Sequence, residues 1–208
     1  MEPDFWRERW AENKIGFHEG APNTMLVSHL YRLAGHRVLV PLCGKTEDLA
    51  YLAAQGKRVI GVELVEDAVA QFFAEHEVTP TITTHDGLRE YTAGEITIFA
   101  GDWFAVTAAH TGPIEGFYDR AALIALPAEM RVRYLEHLRS VVPENTRGLL
   151  ITVDYDAAQF QAPPHPVPDS EVQAHYAAAE LLEETPNSTG RLGEANIGAV
   201  DRCYAVRL

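Results

Sequence analysis

The chain has 208 residues, 47% hydrophobic and 23% charged, enough for one domain with a sizeable core and too apolar for a disordered chain. Seventeen basic residues against thirty acidic ones leave a net charge of −13, the wrong sign for a nucleic-acid partner. The two cysteines, Cys43 and Cys203, provide neither a disulfide framework nor a zinc site, so no metal is expected and the compartment reads as cytoplasmic. The charged start MEPDFWRERWAENK does not suit a signal peptide, and no stretch reaches the ~18 apolar residues of a membrane span.

In chain order, DFWRERWAEN predicts a short helix with Trp6 and Trp10 on one face. APNTMLVSHLYRLAG predicts a second, with Pro22 in its first turn, Met25, Leu26, Leu30 and Leu33 at helical spacing, and Gly35 as the stop. RVLVPL reads as a strand, KTEDLAYLAAQG as a helix closed by Gly56, and KRVIGVEL as a second strand. VEDAVAQFFAEH is helical, with Val65, Ala68, Val69, Phe72 and Phe73 on one side. A polar stretch follows, then a third strand in EITIFAGDWF and a fourth in GPIEGFYDRAALIAL. A helix over Ala128 to Val141, a fifth strand in RGLLITVDY and a short helix in SEVQAHYAAA come next. ELLEETP and VDRCYAVRL can pair as a closing antiparallel hairpin. Alternating strands and helices predict a doubly wound α/β sheet in a single domain over 1–208, and the apolar runs VLVPL and GLLITV suit strands covered on both faces.

The ligand question turns on Gly44-Lys45-Thr46. A phosphate-binding P-loop requires a glycine five residues before Gly44, and that position is Leu39, inside the strand. The dinucleotide pattern G-x-G-x-x-G places Leu42, Gly44 and Glu47 at its three glycines, so one survives, and Glu47 puts a carboxylate where a pyrophosphate would lie. Glu63 lies nineteen residues after Gly44 at the end of the second strand, where a carboxylate accepts hydrogen bonds from both hydroxyls of a ribose. A close-approach turn without phosphate chemistry, beside a ribose acid, fits a nucleoside ligand such as S-adenosyl-L-methionine. The competing reading of the same residues is an ordinary tight turn and a solvated strand end.

The segments FWRERWAENKIGFHEG, VLVPLCGKTEDLAYLAAQGKRVIGVEL, GDWF, YDRAALIALP and PPHPVP together resemble the thiopurine S-methyltransferase family, in particular its bacterial members. The resemblance spans essentially the whole chain, and the Trp6, Trp10, Phe17 spacing and the Pro-Leu-Cys-Gly-Lys turn are its most specific parts. It implies the Rossmann-like class I methyltransferase fold, a mostly parallel seven-stranded sheet with residues 1–34 as an N-terminal helical cover. It also implies methyl transfer from S-adenosyl-L-methionine to the sulfur of thiopurines or aromatic thiols, by a monomer. Cofactor contacts then fall on Trp10 as an aromatic lid, on Leu42 and Gly44 in the turn, on Glu63 and Arg120, and on Asp102 and Trp103 beside the adenine. Substrate contacts fall on Phe17, on the proline pair Pro163 and Pro164, and on Arg191, in a stretch that aligns only with a gap. Arg120 and its neighbour Asp119 are the expected catalytic pair, the guanidinium favouring a thiolate; surface pairing of Arg120 with Asp119 is the plainer alternative. Two rival functions keep the same fold: methylation of selenium or tellurium compounds, and a non-catalytic cofactor-binding module.

Overall fold

The computed structural model describes residues 3–12, 20–188 and 190–208. Among the described residues nine strands form one sheet: β1 (Arg37–Pro41), β2 (Arg58–Glu63), β3 (Thr81–His85), β4 (Leu88–Ala93), β5 (Ile96–Ala100), β6 (Gly116–Asp119), β7 (Arg147–Asp154), β8 (Ala178–Pro186) and β9 (Val200–Arg207). Their order is β3-β4-β5-β2-β1-β6-β7-β9-β8. The neighbours from β5 to β7 run parallel, and an antiparallel pair closes each edge. The helices are α1 (Pro3–Ala11), α2 (Thr24–His29), α3 (Glu47–Ala54), α4 (Glu66–Glu75), α5 (Ala108–Thr111), α6 (Ala122–Ala125), α7 (Ala128–Val141), α8 (Asp169–His175) and α9 (Gly190–Ala195). None of the described helices is long and apolar enough to cross a membrane.

The predicted seven strands are all present, including the β8–β9 hairpin, and two more appear in the polar stretch after α4. That stretch turns back on itself at Asp86-Gly87, both with positive φ (48° and 84°), the conformation an Asp-Gly hairpin turn requires. β3 is exposed at every residue, so it lacks the buried face that periodicity detects. Pro22 also differs from expectation. It precedes the second helix, and Asn23 is the cap, its side chain accepting from the Met25 and Leu26 amides.

Both faces of the sheet are covered. Leu39, Ile60, Phe117 and Leu150 pack on one side with Tyr134, Leu135 and Leu138 of α7. Val38, Val40, Val59 and Ile98 alternate to the other, against Leu26, Leu49 and Phe72 of α2, α3 and α4. β1 leads to β2 on one side, whereas β6 joins it on the other, so the chain reverses direction across the sheet at the β1–β6 boundary. In open α/β sheets ligands bind at that boundary, outside the carboxyl ends of the strands.

Candidate active site

A cavity of about 830 Å³ opens at those strand ends, lined from β2, β1 and the loop after β5 on one side of the boundary and from β6, β7 and the loops after them on the other. The turn after β1 gives it its floor. Leu42 and Gly44 both adopt left-handed backbone, at φ 49° and 55°, while the Cys43 amide between them bonds the Val62 carbonyl at 2.9 Å and extends the β1–β2 ladder. A left-handed leucine costs about 1–2 kcal/mol, which the packing of its side chain against the core offsets. At Gly44 a Cβ would lie 3.3 Å from the Trp10 ring, so the missing side chain is what lets α1 close over the turn. Trp10 itself is buried with Val65 and Ala68 and lines the cavity.

Glu63 stands at the tip of β2, only 7% exposed, on the cavity wall. Its two oxygens accept separately, Oε2 from the Gly44 amide and Oε1 from the Val65 amide, both at 2.8 Å. Burial pushes its carboxyl above the usual carboxylate range, and the Val65 and Gly44 amides pull it back. Each oxygen of a carboxylate has two lone pairs, so one on each is left for a second donor. Two fixed acceptors on one rigid group are matched to two neighbouring hydroxyls. Farther along, Asp102 caps a 3₁₀ turn by accepting from the Phe104 amide at 3.0 Å, and its exposed side chain lies on the same wall. Trp103 is buried against Tyr134 and His137, and its indole N–H has no hydrogen-bond partner. A buried donor left unmade costs about 1–3 kcal/mol.

Across the boundary, Arg120 follows β6. Its Nη1 sits 3.4 Å from Thr46 Oγ1 and 3.9 Å from Asp48 Oδ2. Asp48 is fully buried, accepting from the Asn23 amide at 2.7 Å and from the Tyr118 hydroxyl at 2.9 Å, and so holds an anion behind the guanidinium. Nothing in the sequence marks Asp48 for this place; it is one acid in the first turn of an ordinary helix. Asp119 goes to the opposite face. It is fully buried, accepts from the Ala122 and Leu123 amides and the Tyr134 hydroxyl, and is not on the cavity wall. Burial pushes its carboxyl up to about 6. The expected Arg120–Asp119 pair is therefore divided by the alternation of a strand. Arg120 faces the cavity, whereas Asp119 anchors α6 to α7.

Pro163 and Pro164 line the cavity beyond Arg120, and Arg191 joins them there: its Nη1 donates to the Pro163 carbonyl at 3.0 Å and its guanidinium lies 4.8 Å from the Phe160 ring centre. Phe17 lies outside the described residues. A further wall residue that sequence reasoning passed over is Arg133, stacked 4.1 Å from the Phe104 ring centre. No group of three metal-binding side chains occurs among the described residues.

Comparison with known proteins identifies the fold and the family. The family model described as thiopurine S-methyltransferase matches residues 1–196. A thiopurine S-methyltransferase of Pseudomonas aeruginosa is 54% identical over 187 residues, covering 88% of this chain and 86% of the relative. One from Pseudomonas entomophila is 47% identical over 197 residues, covering 89% and 91%. Among solved structures, a Burkholderia thailandensis 1,6-didemethyltoxoflavin-N1-methyltransferase with bound S-adenosylhomocysteine superposes with a TM-score of 0.64 at 17% identity, over 99% of this chain and 86% of that one. An Anabaena variabilis SAM-dependent methyltransferase gives 0.61 at 15% identity, over 99% and 93%. These two establish the fold, a class I methyltransferase sheet here extended to nine strands. The family match over nearly the whole length, together with the two relatives, establishes the lineage: this chain belongs to the thiopurine S-methyltransferase family.

Proposed function

We propose that the chain transfers a methyl group from S-adenosyl-L-methionine to the sulfur of a thiopurine or aromatic thiol. The observation that carries this reading is Glu63, a buried carboxylate braced by two backbone amides with a lone pair free on each oxygen, in a cavity whose turn offers no phosphate cradle. The names of the relatives supply the acceptor class.

The residues fit the cofactor. Glu63 would hold the ribose diol, Trp103 and Asp102 would flank the adenine, and Trp10 and the Leu42–Gly44 turn would enclose the amino-acid end. When bound, the cofactor supplies an electrophilic methyl carbon on a sulfonium whose departure leaves a neutral thioether. Arg120, whose cation faces the cavity, stabilises a thiolate over a thiol and so lowers the acceptor's pKa. Pro163, Pro164 and Arg191 form the acceptor side, where shape and apolar contact orient a flat ring. An aromatic thiol is acidic enough to ionise without a dedicated base, so the residues act by binding and orienting; correct alignment of two reactants contributes up to about 7–11 kcal/mol. Asp119 enters this account as the brace that holds α6 behind Arg120. The acidic chain and its two buried, unbridged cysteines favour a cytoplasmic enzyme working on small molecules, and we infer that it acts as a monomer.

Two experiments test the proposal. In a thermal-shift panel, S-adenosylhomocysteine is expected to raise the melting temperature while NAD and ATP do not; a shift with ATP or NAD alone would refute the cofactor. Transfer of label from methyl-labelled donor to a thiopurine, with none to the oxygen analogue of the same ring, is expected for the acceptor.

A further inference from the structure

The acceptor wall contains a segment that cannot hold itself in place. Residues 163–168 read Pro-Pro-His-Pro-Val-Pro, so only His165 and Val167 carry a backbone N–H. Both are used outward, to the Ile124 carbonyl at 2.6 Å and the Val153 carbonyl at 2.8 Å. The carbonyls of Pro163, Pro164 and Pro166 receive side chains instead. Arg191 Nη1 donates to Pro163 at 3.0 Å, the Tyr155 hydroxyl to Pro164 at 2.5 Å, and Arg131 Nη2 to Pro166 at 3.0 Å.

Arg131 does more than meet one carbonyl. It is 2% exposed in the interior of α7, and its Nε donates to the carbonyls of Leu123 (3.2 Å) and Leu126 (2.9 Å) at the end of α6. Its Nη1 pairs with Glu171 of α8 at 2.7 Å. One planar fork therefore joins α6, the proline segment and α8 to α7, and α6 contributes Ile124 and Ala125 to the same cavity. Neither Arg131 nor Tyr155 lines the cavity. On the cofactor side, by contrast, Glu63 and the Gly44 turn are held by backbone donors.

We propose that Arg131 and Tyr155 are positioning residues for the methyl acceptor: they fix the Pro163–Pro164 wall against α6 and leave the cofactor half of the cavity untouched. The assignment of an acceptor wall rests on the function proposed above. The test uses Tyr155→Phe, which removes one hydroxyl without changing shape, and Arg131→Lys, which keeps the charge but cannot reproduce the fork. With a thiopurine as acceptor and saturating donor, the acceptor KM is expected to rise about three- to tenfold in Tyr155→Phe and more in Arg131→Lys, the scale of one and of several lost hydrogen bonds. The dissociation constant for S-adenosylhomocysteine stays within about twofold, a split that general loss of stability does not produce. Hydrogen exchange at His165 and Val167, the two amides of the segment, is expected to accelerate while exchange at Gly44 and Val65 does not. Unchanged exchange in both variants overturns the proposal whatever the kinetics, as does an equal loss of acceptor and cofactor affinity. If Arg131→Lys does not fold, Tyr155→Phe decides alone. If the unaltered chain methylates no thiol, the proposed function fails, and the exchange comparison still decides whether these side chains hold the segment.

Discussion

Replacing Glu63 by Gln isolates the ribose acid. The carboxylate accepts from Gly44 and Val65 at 2.8 Å each, one amide per oxygen. A carboxamide accepts at one atom only; its NH₂ group would face a backbone N–H and could take neither that amide nor a hydroxyl proton. Cofactor binding then loses one charge-assisted hydrogen bond, about 1.5–3 kcal/mol. That corresponds to a dissociation constant for S-adenosylhomocysteine weakened about 10- to 150-fold. Folding stability falls as well, by about 1–3 kcal/mol, because one buried amide is left without its acceptor. Calorimetric titration gives the first quantity and denaturant unfolding the second. If stability drops while affinity stays within about twofold, the carboxylate merely braces the Gly44 turn, and the ribose assignment is wrong.

Arg120→Met is expected to slow turnover most at pH values below the acceptor's thiol pKa, by about tenfold for each pKa unit the guanidinium supplies, and to converge on the parent above it. A deficit independent of pH in the rate profile contradicts the thiolate role. Gly44→Ala places a side chain at φ 55° and 3.3 Å from the Trp10 ring. The backbone cost of about 1–2 kcal/mol lowers the melting temperature by about 2–8 °C, with weaker S-adenosylhomocysteine binding as Trp10 moves; an unaltered melting curve removes the argument for the turn. Asp119, raised from 3.8 to about 6 by burial, makes folding more favourable when protonated. Its contribution is complete below the unfolded pKa and is lost as pH rises through about 6, up to about 3 kcal/mol. Relative to Asp119→Asn, the parent should therefore lose stability between pH 4 and 6; parallel curves in urea titrations across that range would show the carboxyl to be unperturbed.

The central sheet was legible because VLVPL and GLLITV are buried on both faces and read as continuous apolar runs. The β3–β4 hairpin was not, since β3 is exposed throughout and its one sequence signal is the Asp86-Gly87 turn. In the site, Gly44 and Glu63 are read from spacing and Leu42 from the family resemblance, and all three line the cavity. Side-chain networks were not. Asp48 reaches Tyr118 across seventy residues of chain and Arg131 reaches Glu171 across forty, contacts that no local pattern encodes. The division of Asp119 from Arg120 is the instructive case. Adjacency in sequence suggested a shared role, and the alternation of a strand puts adjacent side chains on opposite faces.

The atom that receives the methyl group decides the proposed activity most directly. Incubating the chain with S-adenosyl-L-methionine and a thiopurine, and locating the added carbon by nuclear magnetic resonance of the purified product, should show a thioether methyl on the exocyclic sulfur. A methyl on a ring nitrogen, or an unmodified thiopurine recovered from a chain that binds S-adenosylhomocysteine, would contradict it.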